Sequence, residues 1–281
     1  MRDLWLSKKT RRRRTGTRVS ELRKLFEDDI TVRSIYEPIQ ACLAADPAID
    51  IRRKMTELDF DVLGIKEDVA APVGGYVIAA ELNDGTCGEA RHDFQIADLI
   101  SDSTPLIDVL FLLRDKDRLF ILAGNVVHGI VTRADLEKPH VRLLLFGLIT
   151  LLEMHLTYLV RRFYPGDSCR DKLTPSRLTA AESLMKQRSE RNEKLELIDC
   201  LQFGDKTQLL LKKAKLLTLF EFASSKKGQT IFREVQKIRD KLAHSQDIVV
   251  GPTRSDIISL VEIMEKLILN SELSIKAVIN D

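Results

Sequence analysis

Cysteine is scarce and scattered: Cys42, Cys87, Cys169 and Cys200 are the only four, and none forms a Cys-x-x-Cys pair. That excludes a disulfide scaffold and a zinc module, and it points to reduced thiols in a cytoplasmic protein. Cys87 and His92 are near in sequence, but no further ligand accompanies them, so no metal site is expected. A glycine-rich phosphate loop, a nucleophile elbow and a paired-carboxylate metal site are all missing. The basic N-terminus lacks the apolar core and small-residue cleavage site of a secretory signal. No apolar run is long enough to span a bilayer alone: residues 143–152 are the best candidate, and Glu153 and His155 interrupt their continuation. A buried core helix is expected there, with no membrane partner.

What is present suggests two domains, or one large one, in 281 residues. The formal charge of +2 carries little information, but its distribution does. Arg2, Lys8, Lys9, Arg11, Arg12, Arg13, Arg14, Arg18, Arg23 and Lys24 are opposed only by Asp3 and Glu21 in the first two dozen residues. Such a run reads as a disordered, solvated tail, with a polyanion such as RNA as the alternative.

Residues 20–58 read as helices, with Val32, Ile35, Ile39, Cys42 and Leu43 at helical spacing and a break in the run at Pro47. Strands are expected over 59–65 and 76–82. A helix follows, with Thr104 as its cap and Pro105 in first position, and then strands over 119–123 and 126–131 joined at Gly124 and Asn125. The order of elements occurs twice in about 110 residues, which suggests an internal duplication. The second copy ends in Gly129, Ile130, Val131, Thr132, Arg133, Ala134, Asp135 and Leu136. This ending resembles the close of a CBS motif, a small βαββα unit found in tandem pairs that commonly bind adenine nucleotides. The resemblance implies that Gly129 lets backbone approach the ligand, that Thr132 and Arg133 meet phosphate, and that Asp135 accepts from ribose hydroxyls. Read without the resemblance, Thr132 or Asp135 simply caps the next helical turn. The first copy, with Gly75, Tyr76, Val77, Ile78, Ala79, Ala80 and Glu81, lacks the matching threonine and aspartate, so one well-formed cleft at most is expected.

From Glu137 on the chain reads as helices, and the chemistry sits late, in Arg239, Asp240, Lys241, Leu242, Ala243 and His244. An always-cationic arginine and a histidine that titrates near neutrality can hold a phosphodiester and move its protons without a metal. Five residues along a helix turn the chain by about 140° and raise it by about 7.5 Å, so the two side chains do not share a narrow stripe. They converge if Arg239 swings across a turn, if the helix ends at His244, or if a second copy packs alongside. A bland alternative leaves Arg239 solvated and His244 as a partner of the helix dipole. The apolar run Ile231, Phe232, Val235, Ile238 and Leu242 precedes this segment. The arrangement resembles a HEPN domain, an all-helical family marked by an arginine, a polar residue and a histidine on a late helix. Residues 144–162, 195–211 and 253–269 match its other helices in pattern only.

The expected architecture is α+β: a basic tail over 1–20, a tandem βαββα CBS pair over 21–136, and an all-α HEPN-like bundle over 137–281. The resemblances imply a metal-independent endoribonuclease, with Arg239 and His244 catalytic and Asp240 orienting one of them. RNA is the substrate, the products end in a 2′,3′-cyclic phosphate, an adenine nucleotide is the regulatory ligand, and a homodimer is the acting form. The alternative is a non-catalytic regulatory protein that senses nucleotide and binds RNA or a partner protein.

Overall fold

The computed structural model of the chain describes residues 15–166, 168–190, 195–248 and 256–279. The basic run over 2–14 lies outside the described residues. The chain forms two compact units, one of Phe26–His140 and a discontinuous one of Met1–Leu25 with Val141–Asp281. The first described helix, α1 (Val19–Lys24), belongs to the discontinuous unit. Part of the expected tail is therefore ordered, and Val19 is buried.

The Phe26–His140 unit runs β1 (Glu37–Pro38), β2 (Ala41–Leu43), α2 (Ala48–Glu57), β3 (Val62–Lys66), β4 (Gly75–Ile78), β5 (Leu99–Ser101), α3 (Leu106–Leu112), β6 (Arg118–Ala123) and β7 (Val126–Thr132). The duplication is real: β2 pairs parallel with β3 and β3 antiparallel with β4, while β5 pairs parallel with β6 and β6 antiparallel with β7. Each antiparallel pair within a copy is a hairpin return, and the strands of each parallel pair are joined through a helix. The segment before each copy also reaches the last strand of the other copy: β1 pairs with β7, and His92 bridges Tyr76 of β4.

Inward-facing residues alternate along β7, where Val127, Gly129 and Val131 are buried. Cys42, Met55, Ile65, Val77, Leu82 and Cys87 form the core of the first copy. Leu106, Ile107, Leu110, Leu119, Ile121 and Val131 are fully buried in the second. Each such Leu or Ile contributes roughly 1.5–3 kcal/mol by leaving water. The rings of Tyr76 and Phe120, on different sheets, lie 4.8 Å apart.

Several expected boundaries move. Residues 37–43, expected to be helical, form β1 and β2, because backbone pairing to β7 and β3 overrides the spacing of Ile35, Ile39 and Cys42. The expected strand over 76–82 stops at Ile78 and closes in a 3₁₀ turn, Ala79–Glu81. Thr104 does not cap α3; Pro105 precedes the helix and Leu106 is its first residue.

The discontinuous unit is helical: α4 (Pro139–Phe163), α5 (Pro175–Ser189), α6 (Phe203–Leu211), α7 (Ala214–Leu219), α8 (Ser225–Ala243) and α9 (Asp256–Ile279). The helix expected over 195–211 is broken into a 3₁₀ turn, Leu197–Cys200, and α6, whose first turn holds Gly204. Among the described residues α4 is the one helix long and apolar enough to cross a membrane, and 56% of its most apolar stretch is buried within the structure. Leu144, Leu148, Leu152, His155 and Leu159 of α4 are buried at helical spacing. The His155 Nε2 stands 3.4 Å from the carbonyl oxygen of Thr17. The segment before Phe26 is fastened to α9, with the Val19 amide donating to Glu272 at 2.9 Å and Arg23 pairing with Glu265 at 2.9 Å.

Candidate functional site

The end of β7 places all four candidate nucleotide contacts, and the chain already uses each of them. A Cβ on Gly129 would fall 2.5 Å from a ring carbon of Tyr36, so glycine is required for the chain to pass beside β7. The Asp135 carboxylate closes the turn after β7: one oxygen accepts from the Thr132 amide at 2.7 Å and from its hydroxyl at 3.1 Å. The other oxygen lies 2.8 Å from the Lys138 amine. Lys138 also donates to the Ile35 carbonyl at 2.5 Å and pairs with Glu37. Burial alone would lower the Lys138 pKa, but hydrogen bonds and charge from Asp135 and Glu37 outweigh it, and the pKa is raised. Arg133 turns to the end of α3, where Nε donates to the Leu113 carbonyl at 2.9 Å and Nη2 to that of Arg114 at 2.8 Å. These carbonyls would otherwise lack partners at the helix terminus.

Residues 75–82 run in step with 129–136, which puts Ile78 at the place of Thr132, Ala79 at that of Arg133 and Glu81 at that of Asp135. Glu81 pairs with His92 at 2.6 Å instead of closing its own turn. The first copy therefore has neither the hydroxyl nor the guanidinium of the second.

In the helical unit, α8 carries Arg239 and Asp240, and His244 is the residue on which the helix closes. The helix buries a narrow stripe of Gly228, Phe232 and Val235. Arg239 follows Phe232 by seven positions and Val235 by four, so it continues that stripe toward the neighbouring helix. There its Nε lies 3.6 Å from a carboxylate oxygen of Glu153 on α4. The other Glu153 oxygen accepts from Lys206 of α6 at 3.0 Å, and the Lys206 side chain is only 7% exposed. Asp240 stands 3.6 Å from Arg239, ion-pair and not hydrogen-bond range.

His244 is exposed and lies about 140° around the helix from Arg239. Its ring has no polar partner among the described residues. The chain leaves α8 through Ser245, at φ 53°, while the Gln246 amide donates to the Lys241 carbonyl at 2.9 Å. Arg142 of α4 secures this exit by donating to the Gln246 carbonyl at 3.0 Å. Arg239 and His244 are therefore not brought together within one copy of the chain. Glu153, Lys206 and Arg142 were not legible as site residues; the only trace was Glu153, which interrupts the apolar run of α4. No cluster of three or more potential metal ligands occurs among the described residues.

No protein-family model matches the chain. No curated protein matches it either. Among solved structures, it is similar over 41% of its length to an acetoin utilization protein, AcuB, from Vibrio cholerae, at 19% identity, 93% of that chain and a TM-score of 0.36. The CBS domains of a transcriptional regulator from Streptococcus pneumoniae match over 40% of this chain and all of that one (100%), at 20% identity and a TM-score of 0.34. The CBS-pair protein CBSX2 of Arabidopsis thaliana, in a structure with AMP, matches over 40% of this chain and 97% of that one, at 18% identity and a TM-score of 0.35.

Proposed function

We propose that the chain is a metal-independent endoribonuclease of HEPN type, regulated by an adenine nucleotide on a CBS pair. The observation that carries the catalytic half is the divergence of Arg239 and His244. Arg239, its side chain 44% exposed, stands 3.6 Å from Glu153 where the packed stripe of α8 reaches the surface, and His244 is exposed where the helix ends. Within one chain they face different surfaces, so the acting site is composite: two copies meet where α8 ends, and His244 of one approaches Arg239 of the other. Symmetric pairing of this kind is the commonest oligomer contact.

In that site an imidazole takes the proton from a ribose 2′-hydroxyl as the oxygen attacks the adjacent phosphorus. The new bond is 2′-O–P, the broken one is P–O5′, and the departing 5′-oxygen is protonated from solvent, to which the imidazolium returns its proton. Arg239 stabilises the extra negative charge on the phosphoryl oxygens, and Asp240 steers the guanidinium. RNA is left with a 2′,3′-cyclic phosphate and a 5′-hydroxyl.

The regulatory half rests on the turn after β7. A nucleotide whose ribose engages Asp135 exchanges with the Lys138 contact, which frees a cation for the phosphate and loosens the Glu37 end of β1. Incubation of varied RNAs with the protein in excess EDTA tests the activity. Cleavage that is lost in His244→Ala supports it, and inertness of the wild type refutes it. A non-catalytic function, sensing nucleotide and binding RNA or a protein, is favoured by one observation: Arg239 already has a carboxylate partner in Glu153.

A further inference from the structure

We infer that the solvent face of α8 is a track for the phosphate backbone of single-stranded RNA, leading to His244. The inference rests on the ribonucleolytic function proposed above and names the surface that would hold its substrate.

Lys226, Arg233, Lys237 and His244 fall within about 20° of one line along α8, with Lys241 about 60° to one side. Lys226, Arg233, Lys237 and His244 are exposed and Lys241 is half-buried. Lys226, Arg233 and Lys241 have no ionic partner among the described residues. Lys237 pairs with Glu234 at 2.8 Å, but both side chains are about half exposed or more, at 60% and 48%, and such a pair exchanges readily for phosphate. Glu234 and Asp240 are the acidic residues beside this line, so the cations outnumber them.

The placement is not what helix stability would select. The first turn of α8 holds no acidic residue, although the helix dipole favours acids there, and it carries Lys226 and Lys227 instead. Cations at that end and along the face add to the field of the helix N-terminus and make one continuous positive surface. From Arg233 on, the cations follow at intervals of about 6 Å or less, a spacing that suits successive phosphates of one extended strand. The cations keep to one line along the helix, as the phosphates of one strand do.

The test uses the full chain and a fluorescently labelled 2′-O-methyl RNA, which has no free 2′-hydroxyl and so reports binding apart from cleavage. Anisotropy is measured against KCl concentration. For Lys226→Ser/Arg233→Ser/Lys241→Ser, the expected result is binding at least about tenfold weaker at low salt. The plot of log K against log[salt] becomes shallower by about 2, at about 0.7 per phosphate contact given up. Lys186→Ser/Lys215→Ser, which removes exposed cations from α5 and α7, leaves both unchanged. Circular dichroism checks that each variant is folded.

Equal binding by the triple variant, failure of the wild type to bind, or equal binding of a duplex overturns the track. Should the wild type bind through these residues and leave unmodified RNA intact, the track stands and the ribonuclease falls. Should it cleave RNA with the salt slope unaltered in the triple variant, the ribonuclease stands and the track falls.

Discussion

Arg239 is held 3.6 Å from Glu153, and the same carboxylate accepts from the buried amine of Lys206. Glu153 therefore joins α4, α6 and α8 and decides on which side of α8 the guanidinium rests. Glu153→Gln keeps the size but removes the charge that compensates Lys206. Urea denaturation is expected to show a loss of about 2 kcal/mol, in the range for hydrogen bonds to charged groups. An unchanged midpoint would show that the network contributes nothing.

Asp135 closes the turn after β7, so Asp135→Ala removes contacts to Thr132 and Lys138 along with any contact to ribose. Asp135→Asn is the better probe, since it still accepts from the Thr132 amide. Calorimetry with AMP, ADP and ATP is expected to show binding to the wild type and at least tenfold weaker binding to Asp135→Asn. Coupling energies of about 1–3 kcal/mol predict a roughly 5- to 150-fold effect of bound nucleotide on RNA affinity. Equal binding by both proteins would remove Asp135 from the ligand site.

Burial pushes the Cys42 thiol up to about 12, with the neighbouring Cys87 adding to it, and burial raises the Cys87 thiol as well. The unfolded chain releases these protons near the ordinary value of 9.0, while the folded chain keeps them. The folded state then binds more protons, so stability falls as pH rises from about 9 toward 12 and is unaffected by these groups below that window. The raised Lys138 acts in the same direction, its contribution being lost as pH rises through its folded pKa. Melting temperatures between pH 7 and 11 check this, and a rising trend would contradict it. At pH 8 a thiol reagent is expected to reach Cys42 and Cys87 only after denaturation.

Ser245 leaves α8 in the left-handed region at φ 53°, where a side chain is disfavoured. Asp59 and Glu221 end α2 and α7 in the same way, with 6→1 bonds from Phe60 to Met55 and from Phe222 to Leu217. Ser245→Gly is expected to raise stability by about 0.5–1 kcal/mol in urea. A loss would show that the serine side chain has a role of its own there.

The duplicated half was legible where strands are long enough to alternate and turns have their own chemistry. Residues 126–132 show period-two burial after Gly124, at φ 63°, while the strand before it buries Leu119, Phe120 and Ile121 in a row. β1 and β2 were not legible, because strands of 2 and 3 residues show no alternation and sit among apolar positions at helical spacing. The return of Val19 to α9 was hidden for another reason: its partner Glu272 is 253 positions away. Arg239, Asp240 and His244 could be picked out by residue type, but their divergence follows from which stripe of α8 is packed. Lys206 reads in sequence as an ordinary surface lysine, since nothing local marks the carboxylate 53 positions earlier that receives it.

The composite site is tested most directly by mixing two inactive proteins. Arg239→Ala and His244→Ala are unfolded and refolded together, then incubated with RNA in EDTA. The account predicts that each alone is inert and that the mixture regains cleavage, with 2′,3′-cyclic phosphate ends, because hybrid dimers pair an intact Arg239 with an intact His244. A mixture as inert as its components, beside an active wild type, would contradict the shared site; cleavage by His244→Ala alone at the wild-type rate would contradict the catalytic assignment itself.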